Sequence, residues 1–298
     1  VNETRTARLA TVVLLAMTAM WGSTFFLIKD LSERISALDF LAVRFPIATV
    51  ALLLIFPKAL GRLSAQSRRQ AVVLGVLYAG AQVLQTVGLA HTAASVSGFI
   101  TGLYVVCTPL LAAVLLRTRI GRLTWVAVAM AIGGIALLTL QPGGLAFGYG
   151  EGITLIAALI YALHIVGLGA WSNADEAMGM AIVQLAVISA VCFLGAVPNG
   201  ITLPDNGRDW LSIVYMALGA GAFAMAGQTW AQAHLPPTRS AIIMSMEPVF
   251  AAVFAVLAGG EHLTARLLSG GLLVFAAMLV VELMPRRKIE AEVTHIAV

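Results

Sequence analysis

The chain has 298 residues, 60% of them hydrophobic and 11% charged, against about a quarter charged in an ordinary soluble domain. With a mean hydropathy of +0.96, this composition excludes a soluble globular protein and specifies an all-α integral membrane protein. The net charge of +4 does not point to nucleic acid, because the basic residues flank apolar segments, where they orient helices in a bilayer.

About 20 apolar residues cross a bilayer as a helix. That ruler predicts ten transmembrane helices, at roughly 8–29, 38–56, 70–90, 94–116, 122–140, 149–171, 178–197, 208–232, 238–258 and 264–284. The first follows Arg5 and Arg8 as a signal peptide would, but its apolar run continues to Ile28, too long for a signal core. Turn chemistry separates later spans: "QPGG" at 141–144, "VPNG" at 197–200 and "LPDNG" at 203–207. With the N-terminus inside, the inner segments hold Arg5, Arg8, Lys58, Arg62, Arg68, Arg69, Arg117, Arg119, Arg122, Arg239, Arg286, Arg287 and Lys288, 13 in all. The outer segments hold Lys29, Arg34, Arg208 and Arg266, so both termini are expected in the cytoplasm. Arg44 is set toward the outer end of its span. Cys107 and Cys192 lie inside apolar runs and read as core residues.

The two halves of the chain resemble each other. "QTVGLAHTAAS" (Gln85–Ser95) parallels "QTWAQAHLPPT" (Gln228–Thr238), and "TPLLAAVL" (Thr108–Leu115) parallels "EPVFAAVF" (Glu247–Phe254). "RLTW" then parallels "HLTA", Gly133-Gly134 parallels Gly270-Gly271, and Arg44 falls opposite Gln184. The expected units are 1–140 and 141–298, the second ending in a short cytoplasmic tail. Five spans is an odd number, so the copies must cross the membrane in opposite directions. Two inverted five-helix repeats around a midplane site are a plan used by many secondary transporters.

"WGSTFFLIK" (Trp21–Lys29), "AVRFPIA" (Ala42–Ala48) and the block "EPVFAAVFAVLAGGEHLT" (Glu247–Thr264) resemble the EamA-type drug/metabolite transporters along essentially the whole chain. The first-half counterpart "TPLLAAVLLRTRIGRLT" lacks both glutamates. The resemblance implies ten helices in two inverted repeats and export of amino acids and related metabolites. Within the family the chain looks most like the aromatic amino acid exporters, which implies residence in the inner membrane.

Polar residues on one face of a span point to protein or water, not to lipid. Ser97, Thr101, Tyr104 and Thr108 form such a stripe in the fourth span; Tyr78, Gln82 and Gln85 form one in the third. The sixth span adds Tyr161 and His164; the eighth adds Tyr215, Gly219, Phe223 and Trp230; the ninth adds Ser240 and Glu247. Substrate-binding candidates are therefore Trp21, Tyr78, Gln82, Thr101, Tyr104, Tyr161, His164, Trp230 and Glu247, lining a neutral, aromatic-rich chamber. Gly98 and Gly102 read as close helix packing, and Gln85 and Gln228 as a shared structural hydrogen bond. With Arg44 held to be peripheral, the chamber has no cation for phosphorylated ligands. It suits a small-molecule substrate, an amino acid or an aromatic or cationic metabolite.

No Walker, G-x-S-x-G or H-E-x-x-H motif occurs, and the histidines lack metal spacing. No enzyme activity, catalytic residue, metal or cofactor is expected, and no partner beyond substrate and lipid in a monomer or weak oligomer. Rival readings are an organic-cation carrier coupled to protons through Glu247, and a passive channel or non-transport membrane protein. Pro109 and Pro248 occupy equivalent positions and are the expected hinges. The residue before each, Thr108 or Glu247, is expected to cap a helix start. A carboxylate in that place is also a candidate proton carrier.

Overall fold

The computed structural model describes residues 2–115, 121–141, 144–171, 175–232 and 243–283. Its helices are α1 (Asn2–Leu31), α2 (Ala37–Ile55), α3 (Ala65–Ala90), α4 (Ala94–Gly102), α5 (Tyr104–Leu115) and α6 (Arg122–Thr139). There follow α7 (Tyr149–Trp171), α8 (Ala177–Ala196), α9 (Gly207–Val214), α10 (Ala224–Gln232), α11 (Glu247–Leu257) and α12 (Ala265–Glu282). A π-helix, Tyr215–Phe223, joins α9 to α10 into one continuous pass. Among the described residues, eight helical stretches are long and apolar enough to cross a membrane, Ala94–Leu115 counting as one. The α9–α10 pass and the shorter α11 occupy the two remaining positions of the ten expected. The "QPGG" turn holds a two-residue antiparallel ladder, β1 (Leu140–Gln141) with β2 (Gly144–Leu145).

Local chemistry sets the helix ends. Ser36, Ser64, Asn206 and Thr264 each accept a hydrogen bond from the backbone N–H three residues on, at 3.2, 3.1, 2.9 and 3.1 Å. Each satisfies a donor that the first helical turn leaves without a partner. The Ser64 cap explains why α3 begins five residues before the apolar run that announced it. The α1–α2 turn is tied to α9 by Arg34, whose guanidinium donates to Asp209 at 2.9 and 2.8 Å and to Asp30 at 2.6 Å. These bonds, Asp209 first, hold Arg34 further above its ordinary range.

The outward faces are apolar, with Leu54 and Leu257 each 77% exposed, the inverse of a soluble protein. Inside, one core gathers Phe45, Leu52, Leu185 and Ile188 from α2 and α8. A second gathers Phe99, Ile100, Val274 and Met278 from α4 and α12. The most extensive helix pairings are α6 with α12, α3 with α7, α2 with α8, α3 with α8 and α1 with α11. Two of these pairs bring matched segments of the repeat together. Thr49 Oγ1 lies 3.2 Å from Ser189 Oγ, the same spacing along the chain as Arg44 to Gln184. A Cβ on Gly134 would come within 2.9 Å of the Gly270 carbonyl, and one on Gly270 within 2.8 Å of the Gly134 carbonyl.

Glycine also decides where α11 sits. A Cβ on Gly22 of α1 would lie 2.5 Å from Phe250 Cβ and 2.8 Å from the Ala251 nitrogen. One on Gly98 of α4 would lie 2.6 Å from Ala251 Cβ, and one on Gly102 would lie 3.2 Å from Pro248 Cγ. So α11 is wedged between α1 and α4 at backbone distance, as the Gly98/Gly102 pair led one to expect. Gly22→Val or Gly98→Val should cost about 1–3 kcal/mol by overpacking, read as a lower melting temperature in detergent. Gly61→Ala, where a Cβ meets nothing within 4 Å, should leave it unchanged.

Candidate functional site

Side chains from six helices meet in the middle of the bundle. The Tyr78 ring of α3 lies 5.4 Å from His164 and 6.1 Å from Tyr161, both on α7, and 6.1 Å from Phe45 on α2. Tyr161 donates its hydroxyl proton to Gln85 Oε1 at 2.9 Å, and Gln85 Nε2 donates to Thr101 Oγ1 at 3.2 Å. Gln82 Nε2 donates to the Tyr78 hydroxyl at 3.1 Å. Across the cluster the Tyr104 hydroxyl of α5 donates to Glu247 Oε2 of α11 at 3.4 Å. Tyr78, Gln82, Gln85, Tyr104, Tyr161 and Glu247 all keep some accessible surface at mid-span, although lipid does not hydrate such groups. Seven of the nine expected residues thus come together: Tyr78, Gln82, Thr101, Tyr104, Tyr161, His164 and Glu247.

The other two stand apart. Trp21 donates its indole N–H to the Ala220 carbonyl of the π-helix at 2.9 Å, beside a 2.8 Å bond between Ser23 Oγ and the Tyr215 hydroxyl. Trp21 therefore ties α1 to the π-helix. The Trp230 side chain and Ser240 lie outside the described residues. Phe223 is 57% exposed and leaves the stripe assigned to it. A π-helix bonds i to i+5, so a face read at α-helical spacing drifts away within two turns.

The oxygens before the two prolines do not cap. Thr108 Oγ1 donates to the Tyr104 carbonyl at 2.7 Å, inside α5. Glu247 is the first residue of α11 and follows Met246, which holds the cap position and makes no side-chain cap hydrogen bond. The Glu247 carboxylate is turned instead to Tyr104. The fourth pass breaks at Leu103, six residues before Pro109, and α11 begins just after the Ser245–Met246 turn. Pro109 itself lies within α5. Gln85 and Gln228, matched in the repeat, also differ: Gln228 Nε2 contacts the Met244 sulfur, at 3.6 Å.

The larger correction concerns Arg44. Its position one-third along α2 reads as peripheral, yet the structure buries it to 5% exposure. Its guanidinium carbon stands 5.2 Å from the Phe45 ring centre and 5.7 Å from that of Phe40. A buried cation therefore stands beside Phe45, whose ring borders the cluster at Tyr78. Distance along a helix sets depth only, while the direction of the side chain is set by what packs around α2.

A cavity of about 580 Å³ lies away from this cluster, at the bundle end where α3 passes to α4. Its charges are engaged with that connection. Lys29 Nζ donates to the Ala90 carbonyl at 2.9 Å, Glu151 accepts from Thr92 Oγ1, and Glu261 accepts from both Ser95 N–H and Ser95 Oγ. Glu261 so serves the N-terminus of α4, which has no cap of its own. We read this cavity as the mouth of a pinned end and the mid-span cluster as the site.

His164 Nε2 and Gln184 Oε1 are 2.7 Å apart and both buried. Replacing His164 alone by Leu strands the amide and should cost about 1–3 kcal/mol, whereas His164→Leu with Gln184→Leu should be nearly neutral. Thermal unfolding of the purified variants checks both.

Comparison with known proteins fits this arrangement. The chain is 28% identical over 270 residues to an "Uncharacterized transporter" of Archaeoglobus fulgidus, covering 90% of this chain and 84% of that one. A solved crystal structure matches its fold with a TM-score of 0.65 at 17% identity, over 91% of this chain and 95% of that chain. The model of the EamA-like transporter family matches twice, at residues 8–140 and 148–283. The chain is a multi-pass membrane transporter and belongs to the EamA-like transporter family.

Proposed function

We propose that this transporter exports small metabolites, amino acids foremost and aromatic ones preferred, by alternating access between inverted repeats spanning 1–140 and 141–298. The observation that carries this reading is the mid-span cluster itself. Tyr78, Gln85 and Tyr104 come from the first half, and Tyr161, His164 and Glu247 from the second. Stacked aromatic faces with amide and hydroxyl groups suit a flat, polar-ended solute. A site shared by two halves changes its exposure when the halves rock.

The Thr49–Ser189 contact, and the approach of the paired glycines of one half to those of the other at Gly134–Gly270, support a two-fold relation between the halves. The breaks at Leu103 and Ser245–Met246 offer bending points near Pro109 and Pro248. The excess of Lys and Arg favours cytoplasmic termini in the cell's inner membrane. The Glu247–Tyr104 contact favours a second reading, an organic-cation carrier in which Glu247 exchanges a proton for substrate.

Purified protein in lipid vesicles, screened with amino acids and organic cations with and without a pH gradient, separates these readings. Saturable counter-exchange is expected; linear flux without exchange would indicate a channel. Glu247→Gln should fold normally and slow transport roughly tenfold, the worth of one hydrogen bond to a charged group, or flatten its pH dependence. A wild-type rate with an unchanged pH profile would remove Glu247 from the site.

A further inference from the structure

Arg44 is a cation that the described protein leaves without a counter-charge. It is 5% exposed, and its Nε has no hydrogen-bond partner. Neither ion pair found among the described residues includes it. Phe40 and Phe45 offer ring faces to the guanidinium, but ring faces accept no N–H bond in the guanidinium plane, where five donors lie. A buried guanidinium without an acceptor is costly, and an ionisable group at membrane depth marks a binding or conduction path by default.

The repeat sharpens the contrast. Gln184, opposite Arg44 in the second half, has a partner on both polar atoms: its Oε1 accepts from His164 Nε2 at 2.7 Å and its Nε2 donates to the Met180 carbonyl at 3.2 Å. At the same place in the scaffold, one half carries a satisfied amide and the other an unsatisfied cation.

Arg44 also faces the cluster. The Phe45 ring centre lies 5.2 Å from the Arg44 guanidinium carbon and 6.1 Å from the Tyr78 ring, which in turn lies 6.1 Å from the Tyr161 ring. From Tyr161 the contacts continue through Gln85 to Thr101 of α4, and three residues on Tyr104 bonds Glu247 of α11. The two tyrosines therefore lie between a cationic pole on α2 and an acidic pole on α11. A doubly charged phosphate gains from the first pole and is repelled by the second. An organic cation meets the converse. A zwitterion whose carboxylate and ammonium are joined through a short carbon skeleton matches both.

We propose that Arg44 is the carboxylate-binding residue of the central site, its planar fork receiving the substrate carboxylate while Glu247 faces the ammonium end. The assignment rests on the amino acid reading above and adds to it the residue that distinguishes an acid from its uncharged derivative. Bidentate geometry makes arginine suited to this task and lysine a poorer substitute.

The test compares counterflow of phenylalanine, phenylalaninamide and phenethylamine in vesicles containing the full chain. The wild type should prefer phenylalanine to its amide. Arg44→Gln should erase that preference by raising the KM for phenylalanine relative to the amide roughly tenfold to a hundredfold, the size of a lost charge-assisted hydrogen bond. Arg44→Lys should retain part of the preference. Equal transport of acid and amide by the wild type overturns the assignment without any variant having to fold. A preference that survives Arg44→Gln overturns it as well. In both cases a transporter of aromatic solutes still stands. Wild-type vesicles that move none of the three probes would instead overturn the aromatic amino acid reading, and this assignment with it.

Discussion

The approach of α11 to α1 and α4 is the contact on which the central site depends. Lipid tails are as apolar as leucine, so helices within a bilayer associate through close van der Waals contact rather than hydrophobic burial. Gly22 and Gly98 remove the side chains that would hold α11 away, and Ala251, fully buried, fills the gap between them. Only at this separation does the first turn of α11 bring Glu247 to the Tyr104 hydroxyl. A bulkier interface would move a second-half carboxylate out of a chamber whose walls are largely first-half side chains. Packing and chemistry are therefore coupled at one crossing.

Glutamate is used in two ways along the molecule. Near the bundle ends, Glu151, Glu176 and Glu261 accept from hydroxyls and from backbone N–H groups: Gly148 for Glu151, Ser64 for Glu176 and Ser95 for Glu261. These bonds satisfy donors that helix starts and turns leave over, and those to Ser64 and Ser95 join connections from different halves. Glu247 also stands at a helix start, but its carboxylate accepts from the Tyr104 hydroxyl of another helix. A single long hydroxyl contact holds it, and Arg44 at the other side of the cluster is less well satisfied still. Those end-of-bundle carboxylates are held by several protein donors, whereas among the described residues Glu247 has one hydroxyl contact and Arg44 Nε has none.

The halves share a scaffold but not a site. Thr49 meets Ser189, and the glycine pair of α6 meets that of α12 at Gly134 and Gly270, so matched segments of the two halves pack on each other. Where chemistry is concerned the matched residues part: Arg44 against Gln184, Thr108 against Glu247, and Gln85 in a hydrogen-bonded chain against Gln228 on a sulfur. A symmetric chamber would present the same groups to both ends of a solute. An asymmetric one distinguishes them, as recognition of a polar-ended molecule requires.

Several features were determined by the sequence alone. The passes follow from apolar run length, because bilayer thickness sets it. Helix starts at Ser36, Asn206 and Thr264 follow from local capping chemistry. The matched halves and most of the polar stripe, Tyr78, Gln82, Thr101, Tyr104, Tyr161 and His164, follow from order and spacing. Only the tertiary structure decided the rest. It turned Arg44 inward, sent Trp21 to a π-helix carbonyl, rotated Phe223 outward, moved a break from Pro109 to Leu103, and aimed Glu247 at a tyrosine instead of a cap. The reason is common to all of these. Sequence reports depth and period along a single helix, but in a medium with no water the direction of a polar side chain is chosen by whichever neighbouring helix offers it a partner.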